Sequence, residues 1–478
     1  MKRVLLTTVI VAFATVSCKK GITDQNIDTK SATVVPAEGL FANAQRSLSD
    51  QLASTNVNTN IFRLIVQHWT QTVYTDESRY DLRTRLIPDR FFQTLYRDVL
   101  EDFADAKRVI GSDTRKSAGI KANQIAIADI MEVYAYHMLV NTFGNVPYGE
   151  ALNYANITPK YDDAKTIELD LLARLNTDIA ALNANISSPS YGSSDFLYGG
   201  NVSAWIKFAN TLKLKIGMLF ADSDPAVAQA NVLAAVTAGV FTSNSDNALF
   251  KYLSATPNTN PLWVDLVQSG RNDFVASQTI VNMMNGLNDP RRTFYFTQVS
   301  GGYSGGVDGQ GNVFSSFSGP SSIIEDPTVA NVFLDYSETE FLLAEAVERG
   351  FVAGTAATHY NNAVTASILY WGGAAGDATT YLAQPSVAYA TAVGGGTYKQ
   401  KIGQQKYLAL YNRGFDVWTE WRRLDYPVLS PALNATTAIP VRFTYPIKEQ
   451  NLNGSNSGQA AAAIGGDLVS TKLFWDKF

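Results

Sequence analysis

The sequence predicts a mainly α-helical protein in which adjacent helices form tetratricopeptide-like pairs. Three observations lead to this prediction. Apolar residues recur at three- and four-residue steps, the helical stretches follow one another in pairs, and long loops rich in Gly, Pro, Ser and Asn separate these pairs. The usual Trp and Leu-Gly signature of the tetratricopeptide repeat is missing, so the similarity depends on the pairing of helices.

The composition excludes several classes of protein. The chain has 478 residues, which is ample for a substantial buried core. Charged residues make up 17% and hydrophobic residues 46%, and this low charge excludes a disordered, highly charged chain. The formal net charge is −5 and no Lys/Arg cluster stands out, so nucleic acid is not a predicted partner.

The N-terminal segment predicts the compartment. Residues 1–17 combine a cationic start with an apolar stretch that is too short, at about 20 Å as a helix, to span a membrane permanently. This pattern indicates an export signal. The only cysteine, Cys18, follows directly in a sequence that resembles the bacterial lipobox, with Thr where Leu is common. We therefore predict lipidation at Cys18, with a plain secretory signal as the alternative.

Three parts follow from this division: a signal peptide at 1–17, a lipidated flexible tether at 18–36, and a single globular body at 37–478. The body contains a loop-rich insertion at about 241–334. Long loops held on a packed frame often carry binding residues.

Four helices are predicted first, over 122–143, 164–186, 203–221 and 225–238. Asp224 is the predicted N-cap of the last one and Gly239 its stop.

A second pair is predicted further along. Ser337 and Glu340 are expected to form a capping box for the helix that ends at Gly350, and its partner covers 354–371. The tryptophans in the helical stretches are predicted to be structural: Trp205, Trp371, Trp418 and Trp421.

Two loop segments carry candidate ligand-binding residues. Neutral sugars need flat aromatic faces beside hydrogen-bonding groups, and residues 67–83 interleave Trp69, Tyr74 and Tyr80 with polar residues such as Arg79. The alternative is that Trp69 is a core residue beneath the loop.

The segment 258–274 is the second candidate, with Trp263 and Arg271. Arg271 faces a ligand or pairs with Asp273, and the sequence leaves both open. Tyr303, in the Gly-rich loop SGGYSGGVDGQGN (300–312), is a third candidate for ligand binding.

Enzyme chemistry has little support in the sequence. Ser304 lies in a G-x-S-x-G pattern with His359 downstream, but the strand and helix that would strain a nucleophile elbow are absent from the pattern. Acidic neighbours such as Asp162 and Asp163 give no sign of converging across a cleft. With one Cys and three His residues, we predict no catalytic residue, no metal site and no cofactor, although a calcium ion at loop carboxylates stays open.

Several segments together resemble one known family, the SusD-like or RagB/SusD family of Bacteroidetes surface lipoproteins, and in particular its starch-binding-associated second branch. The similarity covers nearly the whole mature chain in the same order, and at the C-terminus Phe474 stands where the family often has a second Trp. It is carried by NTFGNVPYGEAL (141–152), WIKFANTLKLKIGM (205–218), LNDPRRTFYF (287–296), DYSETEFLLAEAVERG (335–350), QKYLALYNRGFDVWTEWRR (405–423), IPVRFTYPIKEQNLN (439–453) and KLFWDKF (472–478).

The resemblance implies tetratricopeptide-like helix pairs that support a loop-rich, partly irregular ligand-binding face. It also implies a nutrient-binding protein, anchored to the outer membrane at the cell surface, that captures a glycan or a peptide. Such a protein serves as the lid of a SusC-like TonB-dependent transporter and has no catalytic role. The rival hypotheses are a glycan-active enzyme of the cell envelope and a helical-repeat scaffold for protein partners.

Overall fold

The N-terminal half of the protein is built mainly from long helices. The structure, a computed structural model, describes residues 35–478, so the predicted signal peptide, the lipidation site Cys18 and nearly all of the tether lie outside the described residues. The first eight α-helices are α1 (Ala37–Ala53), α2 (Phe62–Ile65), α3 (Ile87–Gln93), α4 (Glu101–Ser112), α5 (Ala118–Phe143), α6 (Ala164–Ala184), α7 (Val202–Leu219) and α8 (Pro225–Ala238).

The C-terminal half alternates shorter helices with loops. Its regular α-helices are α9 (Pro261–Trp263), α10 (Gln278–Gly286), α11 (Arg292–Tyr295), α12 (Tyr336–Glu348), α13 (Ala356–Tyr370), α14 (Ala375–Leu382), α15 (Tyr398–Ala409), α16 (Gly414–Leu424), α17 (Ile447–Leu452) and α18 (Gly454–Ala463). A four-residue helical turn with left-handed backbone angles inside it, Ala392–Gly395, precedes α15. Two π-helical segments, Thr94–Leu100 and Val264–Gln268, continue from α3 and α9. The prediction of a mainly helical fold is confirmed.

Strands are short and form three antiparallel pairs within the described residues. β1 pairs with β5, β2 with β3, and β4 with β6. Their bounds are β1 (Trp69–Gln71), β2 (Val146–Pro147), β3 (Tyr161–Asp162), β4 (Ala248–Phe250), β5 (Phe274–Ala276) and β6 (Asn331–Leu334). The predicted loop-rich insertion therefore contains β4, β5, β6, three short α-helices and the π-helical segment Val264–Gln268.

Helix pairs form the frame, as the sequence predicts. α5 packs on α6, α7 on α8, and α12 on α13. The approach of α7 to α8 is close, because a Cβ added at Gly217 would lie 3.2 Å from the Val232 side chain. The predicted N-cap is present: the Asp224 carboxylate accepts a hydrogen bond from the Val227 amide. Gly239 ends this helix with a positive φ of 104°.

The start of α12 differs from the prediction. Its N-cap is Asp335, whose carboxylate accepts a hydrogen bond of 2.6 Å from the Glu338 amide. Ser337 lies inside the helix, and its hydroxyl donates to the Ala363 carbonyl of α13 at 2.8 Å. The capping box at Ser337 and Glu340 is therefore wrong, because that serine joins the two helices instead of capping one.

Buried ion pairs join the helix pairs to α16. The Arg423 guanidinium lies between Glu345 of α12 and Glu420 of its own helix, and it donates to each at 2.6 Å. All three side chains are buried, so removing one would leave an unpaired charge in the core. The predicted structural role of the tryptophans agrees with this packing, since Trp205 and Trp418 are fully buried.

Candidate functional site

The pairing of β1 with β5 brings two predicted segments together. β1 lies in segment 67–83 and β5 begins at the end of segment 258–274, with Gln71 opposite Phe274. The contact continues beyond the strands, because the Thr72 amide donates to the Asp273 carbonyl at 2.9 Å. The Thr72 hydroxyl also donates to the Asn272 carbonyl at 2.6 Å. The two segments therefore form one surface.

A cleft of about 260 Å³ lies beside this strand pair, and we call it the strand-pair cleft. It is bounded by the loop after α1, by β1 and the segment between β1 and α3, and by the π-helical segment with the loop that follows it. The lining residues are Thr55, Asn56, Val57, Asn58, Gln71, Tyr74, Arg85, Asp265, Ser269, Arg271, Asp273 and Phe274.

Tyr74 supplies the exposed aromatic face of the strand-pair cleft. Of the two aromatic side chains that line it, Phe274 is buried and Tyr74 is 60% exposed. The neighbouring Val73 is also exposed. An exposed ring beside polar side chains is the arrangement that the sequence analysis expects for a sugar-binding surface.

The cationic groups of the cleft have partners within the chain. Arg271 donates to both carboxylate oxygens of Asp273, at 2.5 and 3.0 Å, and this hydrogen bonding raises the pKa of Arg271. The sequence leaves two possibilities open for Arg271. In the structure its side chain forms the ion pair with Asp273, and both residues line the cleft. Arg85 pairs with Glu77, a buried carboxylate. Glu77 also accepts a hydrogen bond of 2.7 Å from the side-chain amide of Gln71.

Asp265 holds one wall of the cleft to the loop after α1. Its carboxylate accepts hydrogen bonds from the Thr55 amide at 3.2 Å, the Thr55 hydroxyl at 3.0 Å and the Ser54 hydroxyl at 3.4 Å. Burial raises the pKa of this carboxyl. The π-helical backbone from Val264 places Asp265 at this position.

The Gly-rich loop supports the strand pair from behind. Asn312 is buried, its amide nitrogen donates to the Gln71 carbonyl at 2.9 Å, and its backbone N–H donates to the Thr72 carbonyl at 2.7 Å. Glycine is required where this loop meets the start of α10, because a Cβ at Gly305 would lie 2.4 Å from Gln278 backbone atoms. Sequence analysis missed Asn312, and its position at the end of the predicted Gly-rich loop was the available signal.

Asp308 is a second residue that the sequence analysis missed. It is buried, and one carboxylate oxygen accepts a hydrogen bond of 2.6 Å from the Ser277 hydroxyl. The other oxygen has no partner among the described residues. Burial raises the pKa of the Asp308 carboxyl to about 7. Within residues 35–478, this buried ionisable group forms no ion pair, and it lies behind the strand pair.

Trp69 belongs to the core, and its proposed contact with a ligand must be corrected. The side chain is 1% exposed, and its indole N–H donates to the Tyr411 hydroxyl at 2.8 Å. The ring packs against Phe274, with 5.9 Å between ring centroids. Because Phe274 lines the cleft, Trp69 lies beneath the floor and leaves no face open to a ligand.

Tyr80 and Arg79 also act as supports rather than as an open surface. Tyr80 is 1% exposed, and its hydroxyl accepts hydrogen bonds from the Gln67 side chain at 3.2 Å and from the Ala432 amide at 3.1 Å. Arg79 is half-buried and donates to the Gly309 carbonyl at 2.7 Å. Both residues brace the loops around the strand pair. The burial of Tyr80 contradicts an open aromatic face at that residue, whereas ligand contact by Arg79 stays a prediction.

Trp263 and Tyr303 lie outside the lining of the strand-pair cleft. Trp263 is half-buried at the end of α9. Tyr303 is half-buried against the core, and the Arg292 guanidinium lies 5.6 Å from its ring centroid. Of the predicted residues, the structure thus brings only Tyr74 and Arg271 together in the cleft.

Two of the side chains considered for catalysis, His359 and Asp163, have structural partners. His359 pairs with Glu340 at 2.7 Å across α13 and α12. The backbone N–H of Ser304, in the Gly-rich loop, donates to the Ser318 side chain. Asp163 caps α6 by accepting a hydrogen bond from the Thr166 amide. No group of three or more His, Cys, Asp or Glu side chains within residues 35–478 could hold a metal ion.

A second hollow, of about 550 Å³, lies next to the segment that follows Tyr80. Leu82 and Arg83 line it together with residues near the C-terminus such as Gln450 and Leu468. Tyr80 contributes to its wall, so part of segment 67–83 faces this hollow rather than the strand-pair cleft.

None of the helices in the described part of the chain is long and apolar enough to cross a membrane.

Comparisons with known proteins give consistent matches over most of the chain. A family model described as "Starch-binding associating with outer membrane" matches residues 28–446. A solved structure described as a chitin-binding protein is 27% identical, with a TM-score of 0.79, and the match covers 92% of this chain and 100% of that one. A SusD homolog from Bacteroides uniformis is 26% identical, with a TM-score of 0.78 and coverage of 92% and 99%.

A third structure, a chitin-binding SusD homolog from Flavobacterium johnsoniae, is 23% identical. Its TM-score is 0.77, with coverage of 92% of this chain and 98% of that one, and it therefore shows the same fold. A search among curated proteins finds no match.

Proposed function

The chain belongs to the SusD-like family, and from this premise we propose that it is a cell-surface lipoprotein that captures a glycan. It delivers the glycan to a SusC-like TonB-dependent transporter of the outer membrane and closes over that transporter as a lid. The description of the family as starch-binding and associated with the outer membrane supports the ligand class and the location. The relative that is 27% identical is described as chitin-binding, which makes chitin oligosaccharides the first ligands to test.

One observation carries the proposal: an exposed tyrosine stands in a polar cleft on a packed helical frame. Sugar rings present C–H faces that pack on aromatic rings and hydroxyls that need fixed partners. Tyr74 offers the ring, and Asn56, Asn58 and Ser269 of the same lining offer polar groups. The cleft is small and open, so it holds one part of a longer chain.

Binding by the soluble protein tests this function. We expect the protein lacking residues 1–18 to retain glycans on an array and to bind chitohexaose, or the best glycan on the array, in a calorimetric titration. Retention of peptides and of no glycan would contradict glycan capture and would favour a peptide ligand.

The protein is proposed to bind its glycan without cleaving it. The support is that two groups considered for catalysis have structural partners: His359 pairs with Glu340 across two helices, and Asp163 caps the start of α6. Prolonged incubation with chitohexaose should leave the oligosaccharide intact by mass spectrometry. Turnover that persists in a protein purified by two independent routes would favour the enzyme hypothesis.

Anchoring is proposed to occur through acylation of Cys18. Two or three acyl chains give stable attachment to a membrane, whereas one chain does not. Cys18→Ala should leave the fold intact and release the protein from the membrane fraction, and the wild type should carry an acyl label. A mutant that stays quantitatively with membranes, together with an unlabelled wild type, would contradict the lipoprotein hypothesis.

The proposed partner is tested by purification from outer membranes in mild detergent. A lid needs an extensive interface, and we expect a larger β-barrel protein to co-purify in about equal amount, through upwards of about 2,000 Å². Recovery of the protein alone across several detergents would contradict the role as a lid. A different protein partner without glycan binding would favour the scaffold hypothesis.

A further inference from the structure

We infer that the strand-pair cleft selects uncharged glycans and discriminates against acidic ones, because each of its arginines is already held by a carboxylate of the chain. The inference rests on the proposed function, since it concerns the ligand class of the same cleft. It goes further, because capture of a glycan by itself does not specify the charge of that glycan.

The charged groups of the lining balance one another. They are two arginines, Arg85 and Arg271, and two aspartates, Asp265 and Asp273. Glu77 lies behind Arg85 and adds a buried negative charge next to the cleft. An acidic glycan therefore meets no excess of positive charge.

Arg271 is the cation that an acidic glycan would need. Its guanidinium uses two N–H groups on the two oxygens of Asp273, in the forked geometry that would otherwise recognise a carboxylate or a sulfate. The pair is solvent-exposed, with 55% of the Arg271 side chain accessible, and opening it costs little free energy. Asp273 nevertheless remains beside the opened site, where its charge repels an incoming anion.

Arg85 is also paired with a carboxylate of the chain. It pairs with Glu77, which is fixed from the other side by the Gln71 side chain at 2.7 Å. The buried Glu77 carboxylate would be left without its cation if a ligand drew Arg85 away, and a buried unpaired charge is strongly unfavourable. This second arginine is therefore held more firmly than Arg271.

The negative groups are also occupied, which disfavours a cationic ligand. Asp265 accepts three hydrogen bonds from Thr55 and Ser54, and Asp273 accepts two from Arg271. The groups of the lining that remain for a ligand are the Tyr74 ring and neutral polar side chains.

A matched pair of ligands tests the inference. The probes are chitohexaose, or the best neutral glycan on the array, and the same oligosaccharide with its C6 hydroxyls oxidised to carboxylates. We expect the wild type to bind the neutral form roughly fivefold to tenfold more tightly, as for a like charge about 4 Å away in water. Raising the salt to about 1 M, where the Debye length is about 3 Å, should narrow this ratio.

Asp273→Asn supplies the decisive variant, because it removes the negative charge, keeps the side-chain shape and frees Arg271. The preference for the neutral form should shrink or reverse. Asp113→Asn is the matched control: Asp113 forms the same two-residue-spaced, two-bond pair with Arg115 outside the cleft, and its loss should leave the ratio at the wild-type value.

The outcomes separate this inference from the proposed function. Tighter binding of the acidic form by wild type, lost in Arg271→Ala, would overturn the inference and leave glycan capture intact. An unchanged ratio in Asp273→Asn would also overturn it. If the array retains no glycan of either charge, the proposed function fails, and the inference fails with it.

Discussion

Trp69 and Tyr74 lie close together in the same aromatic segment but differ completely in exposure. Trp69 is 1% exposed beneath the cleft floor, whereas Tyr74 is 60% exposed at the cleft surface. The difference arises because β1 pairs with β5 and is buried throughout, while the chain turns towards solvent at Val73. An aromatic and polar segment can therefore contain both the support of a site and its contact surface.

The largest expected effect is on the buried side of this comparison. Trp69→Ala should lower the free energy of unfolding by about 3–5 kcal/mol, because it leaves a cavity beneath Phe274 and removes the hydrogen bond to Tyr411. Chemical denaturation measures this loss, and Trp69→Phe should lose less. A Trp69→Ala protein with wild-type stability would show that the tryptophan is not a core residue.

Asp308 is a buried ionisable group behind the strand pair, so its protonation affects the stability of the fold. The pKa of Asp308 in the folded state, about 7, is above the usual value of 3.8. Between these two pH values the folded state therefore keeps a proton that the unfolded state has released. The stabilisation is present below about pH 4 and is lost as the pH rises through about 7. The full span corresponds to at most about 4 kcal/mol.

The test is the difference in unfolding free energy between Asp308→Asn and wild type from pH 4 to pH 8. Asparagine has no charge to bury, so the variant should gain stability relative to wild type as the pH rises. A difference that stays constant across this range would contradict an ionisable group buried without a cation.

Asn312 links the supporting side to the contact side. Asn312→Ala leaves the Gln71 carbonyl without this partner and removes the hydrogen bond that the side chain accepts from the Val307 amide. We expect a loss of about 2–3 kcal/mol in stability, and weaker glycan binding because the strand pair loses its brace. Unchanged stability in denaturant titrations would show that the Gly-rich loop does not support the cleft.

The frame was predictable from local patterns, and much of the site was not. Apolar periodicity located α5 and α8 to within a few residues, and Asp224 was correctly identified as a cap, because these features depend on neighbouring residues. The strand pair joins Gln71 to Phe274 across a long stretch of chain, and no local pattern specifies such a contact.

The same limit explains the errors among individual residues. Tyr80 and Trp69 lie in a segment that has the composition of a sugar-binding loop. Both are nevertheless buried, because they pack against residues distant in sequence, such as Ala432 for Tyr80 and Tyr411 for Trp69. Asn312 was overlooked because its role depends on a carbonyl of β1. The ion pair between Arg271 and Asp273 could be anticipated as one of two alternatives, because the two residues are only two positions apart in the sequence.

The most direct test of the strand-pair cleft as the glycan site is a calorimetric titration of Tyr74→Ala with the neutral glycan that the wild type binds. We expect a loss of about 2 kcal/mol in binding, roughly 30-fold in affinity, with unfolding free energy within about 0.5 kcal/mol of wild type. Tyr154→Ala, which removes another exposed tyrosine outside the cleft lining, should bind normally. Wild-type affinity in Tyr74→Ala would contradict the assignment of the strand-pair cleft as the glycan site.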